Sequence, residues 1–336
     1  MMDFLIKMDP NSPVPKYRQV INSVIHAIDT NQLSIGDKIP SVGEVSEHTG
    51  LAQKTVVQAF EHLKRTGVIS SVKYKGFFVA SSDTQSRHNI FVLFNIFTAY
   101  KEEIYNSLKD SLGDKGTVDI YFHHNNIEVF NTLVEKSAGR YTEYIIMPIA
   151  DPAVEVSMRK LPSDKLYILD MGYQEWGQKY PSVCQYFEED IFDALSSYIE
   201  KVRKYDKIVM VSGERYYNSA YSDRGFQKFC ETYGLANAIT LHSKGKKPEK
   251  GVLYIIFDDY DLVDMVRQAR LYGMQAGRDF GIISYNETPF KDVIGEGIAT
   301  ISTDFQKMGR SMAKMIVRRG NDHIRNPCRL IDRNSF

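Results

Sequence analysis

The stretch LAQKTVVQAFEHLKRTGVISSVKYKGFFVA, residues 51–80, carries two structural periods in succession. Val56, Ala59, Phe60 and Leu63 recur at the i, i+3, i+4, i+7 spacing that lays one apolar stripe along a helix over about residues 53–66. Gly67 then supplies the left-handed residue with which helices commonly close. After it, VISSVKYKGFFVA reads as two strands joined around residues 73–76. The same stretch gathers Lys54, Lys64, Arg65, Lys73 and Lys75 against one acid, Glu61. The whole chain balances 42 Lys+Arg with 42 Asp+Glu, so this basic excess is local, and its partner is expected to be anionic.

Working outward, VPKYRQVINSVIHAIDTNQL spaces Tyr17, Val20, Ile21, Val24, Ile25 and Ile28 as an amphipathic helix, with Pro15 suited to its first turn. In GDKIPSVGEVSEHTGL, Ser41 and Glu44 form an S-x-x-E capping box, which predicts Ser41 as the N-cap of a short helix ended by Gly50. Three helices followed by a hairpin is the order of a winged helix-turn-helix, an α+β unit whose third helix reads DNA. The non-core face of that helix carries Gln53, Lys54, Thr55, Val57 and Gln58. Amides pair with adenine, lysine with guanine or phosphate, and valine with a thymine methyl. Lys73 and Lys75 stand at the hairpin tip, in reach of phosphates or the minor groove. A lone lysine cluster is otherwise a solvated face; here it falls on the element order that uses it.

The chain has 336 residues, enough for two or three domains, with 43% hydrophobic and 25% charged residues. Three widely spaced cysteines, Cys184, Cys230 and Cys328, with no CxxC, fit reduced thiols. No stretch approaches a membrane span or a signal peptide, so a cytoplasmic location without a membrane partner is expected. We divide the chain into a DNA-binding domain at 1–80, a polar linker at 81–89 and a third part at 90–336. In that third part strand and helix signals alternate: IFVLF, VDIYF, YIIMPI, KLYILDM, KIVMVSG, GVLYIIF and FGIISYN are strands, with helices between them. Repeated βα units over that length predict an α/β domain of parallel sheets, split into two lobes with ligands at the carboxyl ends of the strands.

Two family resemblances attach to these residues. The segment from GDKIPSVGE to KGFFVA resembles the GntR-family winged helix, covering about residues 8–80. That resemblance implies Ser41, Gln53, Lys54, Thr55, Val57, Gln58, Lys73 and Lys75 as DNA contacts. The sequence departs from the family at Gly43, Gln53 and Val57, where arginines are usual, and at Tyr74, where the wing has glycine, so the DNA sequence read differs from that of typical members. The remainder resembles the LacI-family effector domain, the periplasmic-binding-protein fold, through DRGFQKF, FDDYDLVDM, FGIISYNET, DFQKMGRSMAKMIV and the closing RNS. It implies a monosaccharide effector, with Asp259 as a sugar ligand and Phe97, Tyr100, Asp151, Glu188, Asp190, Arg224 and Glu287 on ligand-facing loops. It also implies three chain crossings between the lobes, near residues 184–187, 298–302 and 326–329. Aromatic faces cover the C–H face of a sugar, and carboxylates and guanidinium groups pair with its hydroxyls. For Phe97 and Tyr100 the plainer reading is core, and for Asp259 a helix N-cap.

His123 and His124 are adjacent and point to opposite faces of a strand, a poor metal spacing; no metal and no cofactor are expected. No nucleophile elbow or phosphate loop is present to argue for an enzyme. The sequence thus reads as a dimeric regulator, most simply a repressor, that binds operator DNA and a monosaccharide, L-fucose or L-arabinose first. A binding protein without a DNA role, or a sensor of a nucleoside or a phosphorylated sugar, stays open as the alternative.

Overall fold

The computed structural model describes residues 5–82, 88–213 and 219–336; residues 83–87 of the expected linker lie outside them. The first three helices are α1 (Lys16–Asp29), α2 (Val42–Thr49) and α3 (Gln53–Arg65), followed by the antiparallel pair β1 (Ile69–Val72) and β2 (Gly76–Val79). Their stripes meet in one core. Val20, Ile21 and Val24 of α1, Val45 of α2, the quartet Val56, Ala59, Phe60 and Leu63 of α3, and Ile69 and Val79 of the wing are all buried together. Phe60 packs edge-to-face on Phe77 with centroids 4.9 Å apart, which ties the third helix to the wing. The capping box forms as its spacing requires: the Glu44 N–H donates to the Ser41 hydroxyl at 3.3 Å, and the Ser41 N–H donates to the Glu44 carboxylate at 2.7 Å.

An N-terminal arm precedes α1. Gln19 holds it, accepting from the Asp9 N–H at 2.8 Å and donating to the Val14 carbonyl at 2.8 Å. The arm runs tightly past Gly139, where a Cβ would stand 2.7 Å from the Pro13 oxygen and 2.7 Å from Pro15 Cδ. Gly139 has φ +73°, so both space and backbone demand glycine there. Beside it the Arg18 guanidinium donates to the Arg140 carbonyl at 3.1 Å.

Beyond the linker the chain alternates. It forms β3 (His88–Phe94), α4 (Ala99–Leu112), β4 (Gly116–Phe122), α5 (Ile127–Ser137), β5 (Glu143–Ile146), α6 (Glu155–Met158), β6 (Leu166–Asp170) and β7 (Ser182–Cys184). Next come α7 (Phe187–Ser196), α8 (Ile199–Val202), β8 (Lys207–Val211), α9 (Ser219–Tyr233), β9 (Asn237–Thr240), β10 (Val252–Ile256) and α10 (Asp259–Leu271). The last elements are β11 (Gly281–Tyr285), β12 (Ala299–Thr303), α11 (Phe305–Val317), β13 (His323–Arg325) and β14 (Cys328–Ile331). They make two six-stranded sheets, in the orders β13-β7-β6-β5-β3-β4 and β14-β12-β11-β10-β8-β9. Each repeats one winding, in which the second strand turns back outside the first and the third starts the other way. In such open sheets ligands bind at the carboxyl ends of the strands, where the order reverses. β14 is the exception to parallel pairing, running antiparallel to β12.

The chain passes between the sheets three times. It leaves the first after Cys184, returns to it after Thr303 and leaves it again after Arg325. The second passage corrects the sequence expectation: residues 299–303 are the buried strand β12, because ATIST has the β-branched run of an interior strand, so the crossing follows it. Asn326, fully buried, binds all three. Its N–H donates to the Cys184 carbonyl at 2.8 Å, and its amide NH2 donates to the Thr303 hydroxyl at 2.7 Å and the Asp304 carbonyl at 2.8 Å.

Next to this knot, Arg325 of β13 clamps α7 through Asp190 at 2.8 Å and Asp193 at 2.7 Å. Burial pushes the Asp190 carboxyl up to about 6 despite Arg325. A carboxyl whose folded pKa lies above its unfolded value gives stability that is complete below the unfolded value near 3.8 and is lost as pH rises through about 6. Relative to Asp190→Asn, the wild type therefore loses stability between pH 4 and 6.5, measured by urea unfolding across that range. Phe60→Ala removes a ring shared by α3 and the wing and lowers the stability of the helix-turn-helix by about 3–5 kcal/mol, read as an earlier urea transition of the full chain.

Candidate functional site

The N-terminal face is built by α3 and the wing. The core stripe of α3 turns Gln53, Lys54, Val57 and Gln58 outward, all exposed, with Thr55 half-buried beside them. Ser41 is half-buried, and its hydroxyl is engaged in the cap of α2. Lys73 and Lys75 are exposed at the wing tip, on either side of Tyr74. Sequence reading missed Lys38. It pairs with Phe78 in an isolated antiparallel bridge, and its Cε lies 3.2 Å from where a Gly76 Cβ would stand, so it adds a fourth lysine to this face beside Lys54, Lys73 and Lys75. Its position follows from pairing at the wing edge, which no local pattern announces. Lys64 stands behind α3 with Glu61 at 3.4 Å. The surface offers exposed amides, a methyl-bearing side chain and ammonium groups on a convex element that fits a groove.

The second site forms where strands end. After β3, Asn95 is buried; after β6 comes Asp170, after β7 Gln185, and β11 closes with Tyr285. Asp170, fully buried at φ +68°, accepts from the Gln185 amide at 2.6 Å, and Gln185 accepts from the Tyr285 hydroxyl at 3.3 Å. Tyr285 stacks on Phe257 at 4.4 Å. One turn into α4, Lys101 is 1% exposed and donates to the Asn95 carbonyl oxygen. Burial brings the Lys101 ammonium down to about 8, and the neighbouring Asp170 carboxylate resists that fall. Burial likewise raises Asp170, with Lys101 and then Gln185 opposing. The chain of contacts continues past Tyr285. Lys291, also 1% exposed, donates to the Tyr285 carbonyl at 2.8 Å and the Asn286 carbonyl at 2.7 Å, and pairs with Asp259 at 2.9 Å.

Several polar atoms here are buried and lack a hydrogen-bond partner: Asp170 Oδ2, Glu175 Oε2, Trp176 Nε1, Ser222 Oγ, Asn286 Oδ1 and Thr288 Oγ1. Leaving such atoms unpaired is costly.

The effector residues expected from the sequence are placed as follows. Asp259 opens α10, while the N-cap itself is the preceding Asp258, which accepts from the Tyr260 N–H at 2.7 Å. Arg224 pairs with Glu188 at 3.0 Å and lies over the Tyr221 ring at 4.4 Å. Tyr221 in turn donates to Glu175 at 2.5 Å. Glu287 is gripped by Arg333 at 2.9 and 3.1 Å, and Asp190 by Arg325. Asp151 caps a short turn through the Ala153 N–H at 2.8 Å. Tyr100 stacks on Phe305 at 4.5 Å, and the Phe97 ring is largely exposed on the loop after β3. The structure thus gives Glu188, Asp190, Arg224 and Glu287 ionic partners within the protein and gathers instead Asn95, Lys101, Asp170, Gln185 and Tyr285. Asp170 was legible as the acid ending the run LYILD; Lys101 carried no signal, since a lysine in a helix is ordinarily at the surface. Among the described residues no three side chains of metal-binding type cluster, and no helix is long and apolar enough to cross a membrane.

Residues 16–79 match the family of bacterial regulatory proteins, gntR family, and residues 201–336 match the periplasmic binding protein-like domain. The HTH-type transcriptional repressor YtrA of Bacillus subtilis (strain 168) is 30% identical over 78 residues, 23% of this chain and 60% of that protein. The chain spans less than two thirds of the length of the curated relatives it matches, 60% and 57%. Among solved structures, the Lac repressor dimer bound to operator and the anti-inducer ONPF superposes with TM-score 0.59 at 15% identity, over 75% of this chain and 95% of that one. A LacI family transcriptional regulator from Lactobacillus casei with bound glucose gives 0.59 at 14% identity, over 74% and 99%. The chain thus joins a helix-turn-helix segment that matches the gntR-family model to a segment that matches the periplasmic binding protein-like domain, on a fold shared with the Lac repressor.

Proposed function

We propose that the protein is a transcription regulator, acting as a repressor, whose winged helix binds operator DNA as a homodimer and whose second domain binds a neutral monosaccharide. The observation that carries this reading is the pairing of a lysine-bearing α3 and wing with a buried polar site at the strand ends of a periplasmic-binding-protein-like fold. Two copies place two recognition helices on two half-sites, which multiplies affinity. An effector that binds two arrangements of the sensor unequally shifts DNA affinity by the same coupling.

The charge pattern supports a neutral ligand. Lys101 neighbours Asp170, Lys291 pairs with Asp259, Arg224 with Glu188, Arg325 with Asp190 and Arg333 with Glu287. A phosphorylated sugar asks for cations not already matched by acids, whereas hydroxyls ask for the mixed donors and acceptors present here. L-Fucose and L-arabinose are the first ligands to test.

A thermal-shift series against neutral aldoses and their phosphates is expected to give its rise in melting temperature with a neutral sugar. Asp170→Asn, which keeps the shape and removes the charge, is expected to weaken that ligand by about tenfold or more while operator binding is retained. Affinity for DNA is expected to fall steeply with salt, and Lys73→Ala to reduce the slope of log K on log salt by about 0.9. A flat sugar panel with intact DNA binding would redirect the effector assignment; salt-independent or absent DNA binding would overturn the reading as a regulator.

A further inference from the structure

The wing tip holds a feature that its lysines do not explain. The turn from Val72 is closed by the Lys75 N–H donating to the Val72 carbonyl at 2.9 Å, and its third residue is Tyr74. Tyr74 has φ +65°, the left-handed region in which glycine or asparagine sits freely and a tyrosine is strained. Its ring is 94% exposed, so no packing within the protein repays that conformation. The Lys73 ammonium stands 5.1 Å from the ring centroid, and the exposed Lys75 follows in sequence. Behind the tip the hairpin is firmly held: Val79 is in the core, Phe77 packs on Phe60, and Lys38 bridges to Phe78. A strained, exposed aromatic ring beside one ammonium group and next in sequence to a second lysine, on a held hairpin, is arranged for contact with something outside the chain.

We propose that Tyr74 is a DNA-contacting residue of the wing, its ring inserted in the minor groove against the deoxyribose walls while Lys73 and Lys75 reach the phosphates on either side. The minor groove is about 6 Å across, narrow enough to close on a flat ring and to put both phosphate rows within reach of flanking lysines. Apolar side chains entering that groove read its width and deformability. The proposal rests on the DNA-binding reading above and adds a residue that selects among sequences.

The test uses the full chain and a duplex that the wild type enriches from a random-sequence pool. Tyr74→Gly removes the ring and relieves the backbone, so the variant is expected to melt at or above the wild-type temperature yet bind the duplex about tenfold more weakly. Tyr74→Phe keeps the ring and is expected to bind as the wild type does. Since both lysines remain, the salt slope is expected to be unchanged in both variants. Hydroxyl-radical footprinting, which reports on sugars along the minor groove, is expected to lose the wing's protection in Tyr74→Gly only. Equal affinity of Tyr74→Gly and wild type, an unchanged footprint, or a lowered melting temperature with lowered affinity would each overturn the role of Tyr74. A wild type that enriches no duplex would instead overturn the DNA-binding reading, and the proposal with it.

Discussion

Two sheets joined by three chain passages stay in register only if those passages are held together. Asn326, itself in the third passage, does this with three donated hydrogen bonds: one to Cys184 in the first and two, to Thr303 and Asp304, in the second. It lies in the interior, where each bond is strengthened by low polarizability around it and each loss leaves an unpaired group. Asn326 thus ties the three passages at one buried point. The flanking clamp of Arg325 on Asp190 and Asp193 adds a second tie on the α7 side.

The strand ends of both sheets contribute to a common polar network. Lys101 and Asp170 are there because each makes the other tolerable: a lone buried charge is expelled or neutralised, whereas a pair with further hydrogen bonds persists. The network runs from Lys101 through Asp170, Gln185 and Tyr285 to Lys291 and Asp259.

Much of this was legible in the sequence, for reasons that differ by region. The helix-turn-helix announced itself because its signals are local: the α3 stripe, the Ser41 and Glu44 box and the closing Gly67 each specify conformation from neighbours a few residues away. The βα alternation was equally legible, because interior strands such as VLYII and GIISY are continuous apolar runs. The candidate site was only partly so. Asp259 and Glu287 lie at strand ends, as the fold requires, yet their engagement with Lys291 and Arg333 is a tertiary fact. Lys101 and Lys291 could not be found, because nothing local distinguishes a buried lysine from an exposed one. The misplaced crossing at residues 298–302 has the same origin: ATIST is short, and its place as β12 is set by β11 and β14 on either side.

The passage of the N-terminal arm over Gly139 bears on how the proposed regulator would measure distance along DNA. A domain hung on a single polar linker samples a wide cone of orientations, and such a reader accepts half-sites at many separations. Here the arm is seated at Pro13 and Pro15 and steadied by Arg18 on Arg140, so the helix-turn-helix is attached at two places rather than one. Double attachment removes the swivel. In the dimer proposed above, the separation and phase of the two half-sites would then become part of recognition, and an operator with correct bases at the wrong spacing would be rejected by geometry alone.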